Sequence, residues 1–397
     1  MQSNEKDLSH YSIIIVTGLL MSILEYTYTL LFSLFLNSIV HSIQATLSET
    51  TLYYTIVSFT IALLLPPIGK YLNKINLKLI VFVSVIQGSI CMILLTIVQN
   101  IWQLYLLAIF IGICSSTCGT VVQGMVINNW FEKNRNYAFT ASSFVSTIYL
   151  LIMTPALTFL INSFGWKQTL YFLFFLTLVI GLPCALIIRA HPKGKIVEIK
   201  ENRNSSRNKN IMFSSKFLMV LVFFIAISFA SNTSQLFPTY TADVGFGEIT
   251  GGIMETIMTG IDILITPLFA YTTNRFRDAP VLKIWSFFGL LTFINLLIAT
   301  QFRLITFTYL AAIGADILTD LYGPGEQIFA RDIFGKKFNQ GYTLINSITY
   351  IISAFSLPVL SFIYDTTRNW NYVFLLGLVL MGIIILILDT AYKKFAE

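Results

Sequence analysis

The sequence predicts an all-α membrane protein, with twelve transmembrane helices in two pseudo-symmetric six-helix bundles, residues 1–200 and 201–397. Composition is the first reason. Of 397 residues, 56% are hydrophobic and 11% charged, and the mean hydropathy is +0.76; soluble domains are about a quarter charged. Stretch length is the second. A helix needs about 20 mostly apolar residues to cross a bilayer, and twelve such stretches run along the chain. An internal repeat is the third. Trp130-Phe131-Glu132-Lys133 returns as Ile333-Phe334-Gly335-Lys336, and Pro155-x-Leu157-x-Phe159 as Pro358-x-Leu360-x-Phe362, both 203 residues later. Asn73-Lys74 returns as Asn274-Arg275 after 201 residues, and Trp166 as Trp370 after 204. Collinear matches with so small a drift indicate one half copied in tandem, a plan that recurs in secondary transporters.

The stretches of the first half run over 11–36, 51–70, 79–98, 102–126, 138–162 and 168–189. Those of the second half run over 217–240, 249–271, 284–302, 305–329, 341–363 and 371–391. Barrel strands would be about 10 residues of alternating polarity, so these are helices. The first stretch is too long for a signal-peptide core and is expected to remain. Between the halves, 190–215 mixes charges with Asn and Ser and reads as a solvated linker. Six helices on each side give both halves the same orientation.

Short cytoplasmic loops keep an excess of Lys and Arg. With the N-terminus inside, Lys6, Lys70, Lys74, Lys78, Lys133 and Arg135 fall on the inner side, with the basic residues of 189–216. So do Arg275, Arg277, Lys283, Arg331, Lys336, Lys337, Lys393 and Lys394, for a total of 22 of 25. Only Lys167, Arg303 and Arg368 fall outside. Both termini are therefore expected in the cytoplasm of a bacterial cell, the protein being multi-pass in its cell membrane. Topology accounts for the net charge of +6, and no nucleic-acid partner is expected. Cys91, Cys114, Cys118 and Cys184 lie within spans and read as small, buried, reduced residues. The sequons at Asn204 and Asn232 fall in the linker and inside a span and are discounted.

These residues resemble the major facilitator superfamily, and within it the oxalate/formate-antiporter and monocarboxylate-transporter-like branch. That branch carries a Trp-Phe after helix 4, a basic residue and an Ala opening helix 5, and Gly-Trp-(Arg/Lys) before helix 6. Here these are Trp130-Phe131, Arg135 with Ala138, and Gly165-Trp166-Lys167. Phe334-Gly335-Lys336 and Tyr364-Asp365 are similar to the same branch. The loop Gly69-Lys70-Tyr71-Leu72-Asn73-Lys74 carries Asn where the superfamily's motif carries Asp, and Asn274 occupies the repeated place. Two departures stand out. No Lys or Arg lies deep in a span, as it does in oxalate-type members. Helix 5 offers only Pro155, where drug antiporters carry a Gly-Pro-x-x-Gly-Gly-like run.

Ionisable groups inside a bilayer are expensive, and they mark pathways more often than not. Glu25, Glu255, Asp262, Asp316 and Asp320 lie well inside spans, none with a basic residue at its own depth. Glu25 is about 21 Å into the first helix at 1.5 Å per residue. Asp316 and Asp320 are one turn apart on helix 10, and Glu255 and Asp262 share a face of helix 8. The resemblance implies that helices 1, 4, 7 and 10 line the cavity, which puts Glu25, Asp316 and Asp320 near it. Proton coupling or substrate contact is one reading of these acids; hydrogen bonds between helices, above all for Glu255 and Asp262, is the other. Glu25 and Asp316, facing each other across the halves, are expected to form the coupling site. Tyr26, Tyr28, Asn232 and Gln235 are candidate cavity contacts, against packing. Gly323-Pro324-Gly325 near the end of helix 10 reads as a gating hinge or a fixed kink; Asn73 and Asn274 are further gating candidates.

No phosphate-binding loop of the ATPase type is present, and His10, His41 and His191 sit at or beyond helix ends. The chain is therefore read as no enzyme, with no cofactor and no metal. It is expected to be a monomer in the lipid bilayer, moving a small organic solute by proton-coupled alternating access. A monocarboxylate-type anion follows from the branch resemblance. Export of a cationic or neutral amphiphile in exchange for protons follows from the acid-rich, base-free interior. A non-transporting sensor on a transporter fold is the third reading.

Overall fold

The computed structural model describes residues 2–71, 76–119, 123, 126, 127, 129–131, 135–189, 214–335 and 338–395. Among them are twelve helical spans, which we number α1–α12. The first runs over Gln2–Met21, then through a π-turn at Ser22–Tyr26, then over Thr27–Thr29 and Ser33–Ile43. Next come α2 (Leu47–Tyr71), α3 (Leu77–Thr96), α4 (Ile101–Cys118), α5 (Arg135–Phe164) and α6 (Trp166–Ile187). The seventh span passes from Ser215–Asn232 through a 3₁₀ turn at Thr233–Leu236 into Phe237–Val244. Then follow α8 (Glu248–Arg275) and α9 (Asp278–Phe302). The tenth comprises Ile305–Asp320, a π-turn at Leu321–Gly325 and Glu326–Phe334. The eleventh is broken between Phe338–Ser353 and Ser356–Thr367, and α12 covers Trp370–Phe395. Among the described residues eleven spans are long and apolar enough to cross a bilayer; α10, divided by its π-turn into segments of which the first has 16 residues, is the twelfth. The linker expected at 190–215 and the candidate Asn73 fall largely or wholly outside the described residues.

The chain divides into two compact units, Met1–Asn202 and Arg203–Glu397. Inside the first, α1 packs on α5 and α6, α2 on α4, α3 on α4 and α6, and α5 on α6. Inside the second, α7 packs on α11 and α12, α8 on α10, α9 on α10 and α12, and α11 on α12. Each contact of the first unit thus recurs six helices later. Small residues permit the close approaches, as apolar surface does not drive helices together in lipid. A Cβ at Gly181 of α6 would meet Val85 of α3 at 2.6 Å, and one at Gly377 of α12 would strike the ring of Phe293 on α9.

The family-like motifs close helix ends. Trp130 donates its indole N–H to the carbonyl of Arg189, and His10 meets Trp130 and Phe131 edge-on. Trp370 stacks on Tyr364 and donates to Asp243 at 2.8 Å. All four cysteines are buried and free.

Candidate functional site

In the second unit, the packing of α8 on α10 brings carboxylates together. Asp316 and Asp320 are 3% and 4% exposed, on one face of α10. From α8, Thr266 places its hydroxyl oxygen 2.6 Å from Oδ1 of Asp262 and 2.9 Å from Oδ1 of Asp320. Asp262, one turn before Thr266, is half-buried. Oδ2 of Asp316 and Oδ2 of Asp320 are buried with no hydrogen-bond partner. Among the described residues, no Lys or Arg lies within ion-pair distance of Asp262, Asp316 or Asp320. Ion pairs at helix ends join Lys283 to Asp389, Lys393 to Asp389, and Arg331 to Asp278 and Asp332. A carboxylate enclosed without a cation or a full set of donors is held at considerable cost.

Glu255 is 9% exposed and engages neighbouring groups. Downstream on α10, the π-turn begins directly after Asp320 and contains Gly323, Pro324 and Gly325. Turns of this kind recur at functional sites. Gly323 is not there for space, as a Cβ on it would meet nothing within 4 Å. On α7, Asn232 donates to the hydroxyl of Ser356 at 2.7 Å, whereas Oε1 of Gln235 is buried without a partner. Asn274 is exposed in the last turn of α8.

In the first unit, Glu25 lies inside the π-turn of α1, half-buried and engaged with neighbouring groups. Its carboxylate rests on the backbone of Gly119, where an added Cβ would sit 2.7 Å from Oε2. Ser115 of α4 donates to the carbonyl of Leu24 at 2.5 Å, pinning the turn that carries Glu25. Tyr26 is half-buried. Tyr28, by contrast, is not at an open surface: it is fully buried, and its hydroxyl donates to the carbonyl of Gly88. Its place is in the packed interior, because its direction from α1 leads between α3 and α2, where Tyr53 donates to its own carbonyl.

Two residues escape a reading based on apolar stretches. Thr266 is an ordinary hydroxyl in an apolar run, and only its spacing of four from Asp262 hints at a shared face. Glu326 follows Pro324 near a predicted helix end, yet it is 5% exposed with Oε1 unpartnered.

Comparison with known proteins adds the family. The family model described as Major Facilitator Superfamily matches residues 15–319. A bacterial homologue of the human lysosomal transporter Spinster, inward-facing and unoccupied, superposes with a TM-score of 0.74 at 13% identity, covering 98% of this chain and 99% of that one. The nucleoside transporter NupG superposes with a TM-score of 0.75 at 11% identity, covering 97% and 99%. At such identities the likeness is one of fold. No curated protein sequence matches.

Proposed function

The chain belongs to the Major Facilitator Superfamily, and from that membership we propose a proton-coupled secondary transporter of a small organic solute, working by alternating access. Family and structural neighbours make it a multi-pass membrane transporter and not an enzyme. Proton coupling is carried by one observation: Asp316 and Asp320, buried on α10, keep carboxylate oxygens without partners and have no basic residue at hand. Glu25, on the π-turn of α1, is the corresponding acid of the first unit. The halves 1–200 and 201–397 act as the two domains of a monomer with both termini in the cytoplasm.

A monocarboxylate-type anion is the proposed solute, on the motif Trp130-Phe131 with Arg135 and on Gly165-Trp166-Lys167. Entry of the anion with a proton reconciles it with an acidic interior, because a neutralised carboxyl does not repel it. Export of a cationic or neutral amphiphile is a second reading, favoured by the grouping of Asp262, Asp316 and Asp320. The test begins with thermal-shift screening of carboxylates, amines and neutral solutes on purified protein, since a ligand that binds the folded state stabilises it. Hits are then followed as flux into proteoliposomes with and without a pH gradient. Uphill accumulation driven by the gradient is expected; flux indifferent to the gradient and to counter-substrate sinks the reading.

A further inference from the structure

A hydroxyl group has one proton to donate and lone pairs to accept. The oxygen of Thr266 nevertheless stands at hydrogen-bond distance from two carboxyl oxygens, Oδ1 of Asp262 and Oδ1 of Asp320. If both acids were ionised, Thr266 could donate to one of them only. The other contact would then set two acceptors against each other without a hydrogen between them. Adding one proton resolves the conflict: one carboxyl donates to the Thr266 oxygen, and Thr266 donates to the other. Close by, Asp316 is 3% exposed with Oδ2 unpartnered, sits one turn from Asp320 on the same face, and lies within electrostatic reach of both Asp262 and Asp320.

We propose that Asp262, Thr266 and Asp320 form a single acid site that holds one shared proton, with the Thr266 hydroxyl as its bridge and Asp316 as the next acceptor. The gradation of burial gives the bridge a direction, as Asp262 is half-buried whereas Asp320 and Asp316 are enclosed. In the transfer, the O–H bond of Asp262 breaks as a bond forms to the Thr266 oxygen. The original Thr266 O–H bond breaks in turn and its proton passes to Asp320, leaving Asp262 ionised and Thr266 unchanged. No other reactant is needed. This deepens the proton-coupled reading and rests on it for its consequence in transport, although the binding of the proton does not require a solute.

The surrounding elements leave the acids uncompensated. On α8 itself the other titratable groups are Glu248, Glu255, Tyr271 and Arg275, the first and last at its ends. The elements packed against α8 and α10 add Lys216 in the first turn of α7, Tyr240 and Asp243 in its last segment, and Asp278 and Lys283 at the start of α9; towards the ends of α11 and α12 they add Tyr342, Asp365, Asp389, Tyr392, Lys393 and Lys394. Lys283 is engaged by Asp389. Along α10, Tyr309 precedes the pair and Tyr322, Glu326, Arg331 and Asp332 follow it, Arg331 being engaged by Asp278 and Asp332.

The test is an infrared pH titration of the substrate-free, full-length protein in lipid nanodiscs, following carboxylic C=O absorption. In the wild type, two acids joined by one bridging hydroxyl titrate as a coupled unit, in two separated steps. Thr266→Val removes both bridging hydrogen bonds from the singly protonated form and only one from the ionised form, so the two steps should move closer by about one pH unit or more. Thr266→Ser should keep the wild-type separation. Asp262→Asn, an independent variant should Thr266→Val fail to fold, should remove one of the two coupled steps and leave the absorption of the other buried carboxyls in place. Titrations of Thr266→Val and Asp262→Asn that superpose on the wild type overturn the bridge. Should the steps converge while solute flux ignores the pH gradient, the shared proton stands and the coupling reading falls. Gradient-driven flux with an unaltered Thr266→Val titration has the reverse meaning.

Discussion

The two units pack by the same scheme and differ in what they enclose. Contacts of α2 with α4 in the first recur as α8 with α10 in the second, and those of α3 with α6 recur as α9 with α12. Yet α4 carries Ser115, Ser116 and Thr117 and no carboxylate, whereas α10 carries Asp316 and Asp320. The acid of the first unit is instead Glu25 on α1, whose counterpart in the second, α7, offers Asn232 and Gln235. Proline behaves differently as well. Pro155 sits inside an unbroken α5, while Pro358 follows a break in α11 after Ser353. Around Pro155, Thr154 donates to the carbonyl of Leu150 and Thr158 to that of Thr154; neither is the Leu151 carbonyl, which loses its helical donor to the proline. A duplicated scaffold therefore constrains helix pairing without constraining which helix bears the charge.

Neutralising the acids gives the largest expected effect. Asp316→Asn should reduce uphill solute accumulation to the passive level while sparing counterflow exchange, which moves no net proton. Glu25→Gln should do the same if both units contribute to coupling. Wild-type accumulation by well-folded Glu25→Gln would leave coupling to the second unit alone, and loss of both activities with lower thermal stability would make the residue structural. Next come the small residues at matching helix contacts. Gly377→Ala drives a methyl into the Phe293 ring, and Gly181→Ala drives one towards Val85. Overpacking of this sort destabilises by about 1–3 kcal/mol. A larger fall in melting temperature is expected for Gly377→Ala, since a ring gives way less readily than a valine methyl.

Gly119→Ala should be comparable in stability but distinct in function, as its methyl would push Glu25 off the α4 backbone. Reduced accumulation beyond what folded yield explains, measured in proteoliposomes, is the expected result; unchanged coupling would detach Glu25 from its present position. A subtler effect belongs to Gly323→Ala. Its methyl enters open space, and alanine favours a helix over glycine by about 0.5–1 kcal/mol. The melting temperature should hold or rise while flux slows if the turn bends during transport; flux at the wild-type rate would make it a fixed kink. The smallest effect concerns equivalent connections. Gly165 at φ 89° joins α5 to α6, and Arg368 at φ 50° ends α11 before α12. Arg368→Gly should stabilise by up to about 1 kcal/mol and Gly165→Arg should destabilise, both read by thermal unfolding.

Much of the architecture was legible because burial in lipid imposes length on a helix, and the apolar stretches carry that length in full. The interior acids were legible for the same reason, since charge stands out in an apolar run. The π-turn of α1 was not: Ser22–Tyr26 contains no proline and is pinned by Ser115, which donates to the Leu24 carbonyl. The breaks of α7 and α11 went unread, although Pro238 and Pro358 stand four residues after Ser234 and Ala354, whose carbonyls a proline ring displaces. Thr266 was passed over, and Tyr28 was open to both a cavity and a packing reading, because a side chain's role follows the helix it meets, not its own spacing.

What the sequence by itself determined is the number, length and duplication of the spans, because those follow from the bilayer's thickness and from residues compared along one chain. Only the tertiary structure decided that Asp262 and Asp320, distant in sequence, share the hydroxyl of Thr266. Hydrogen bonding of that kind acts over less than about 3.2 Å, a distance set by how closely α8 crosses α10 and written in neither helix alone.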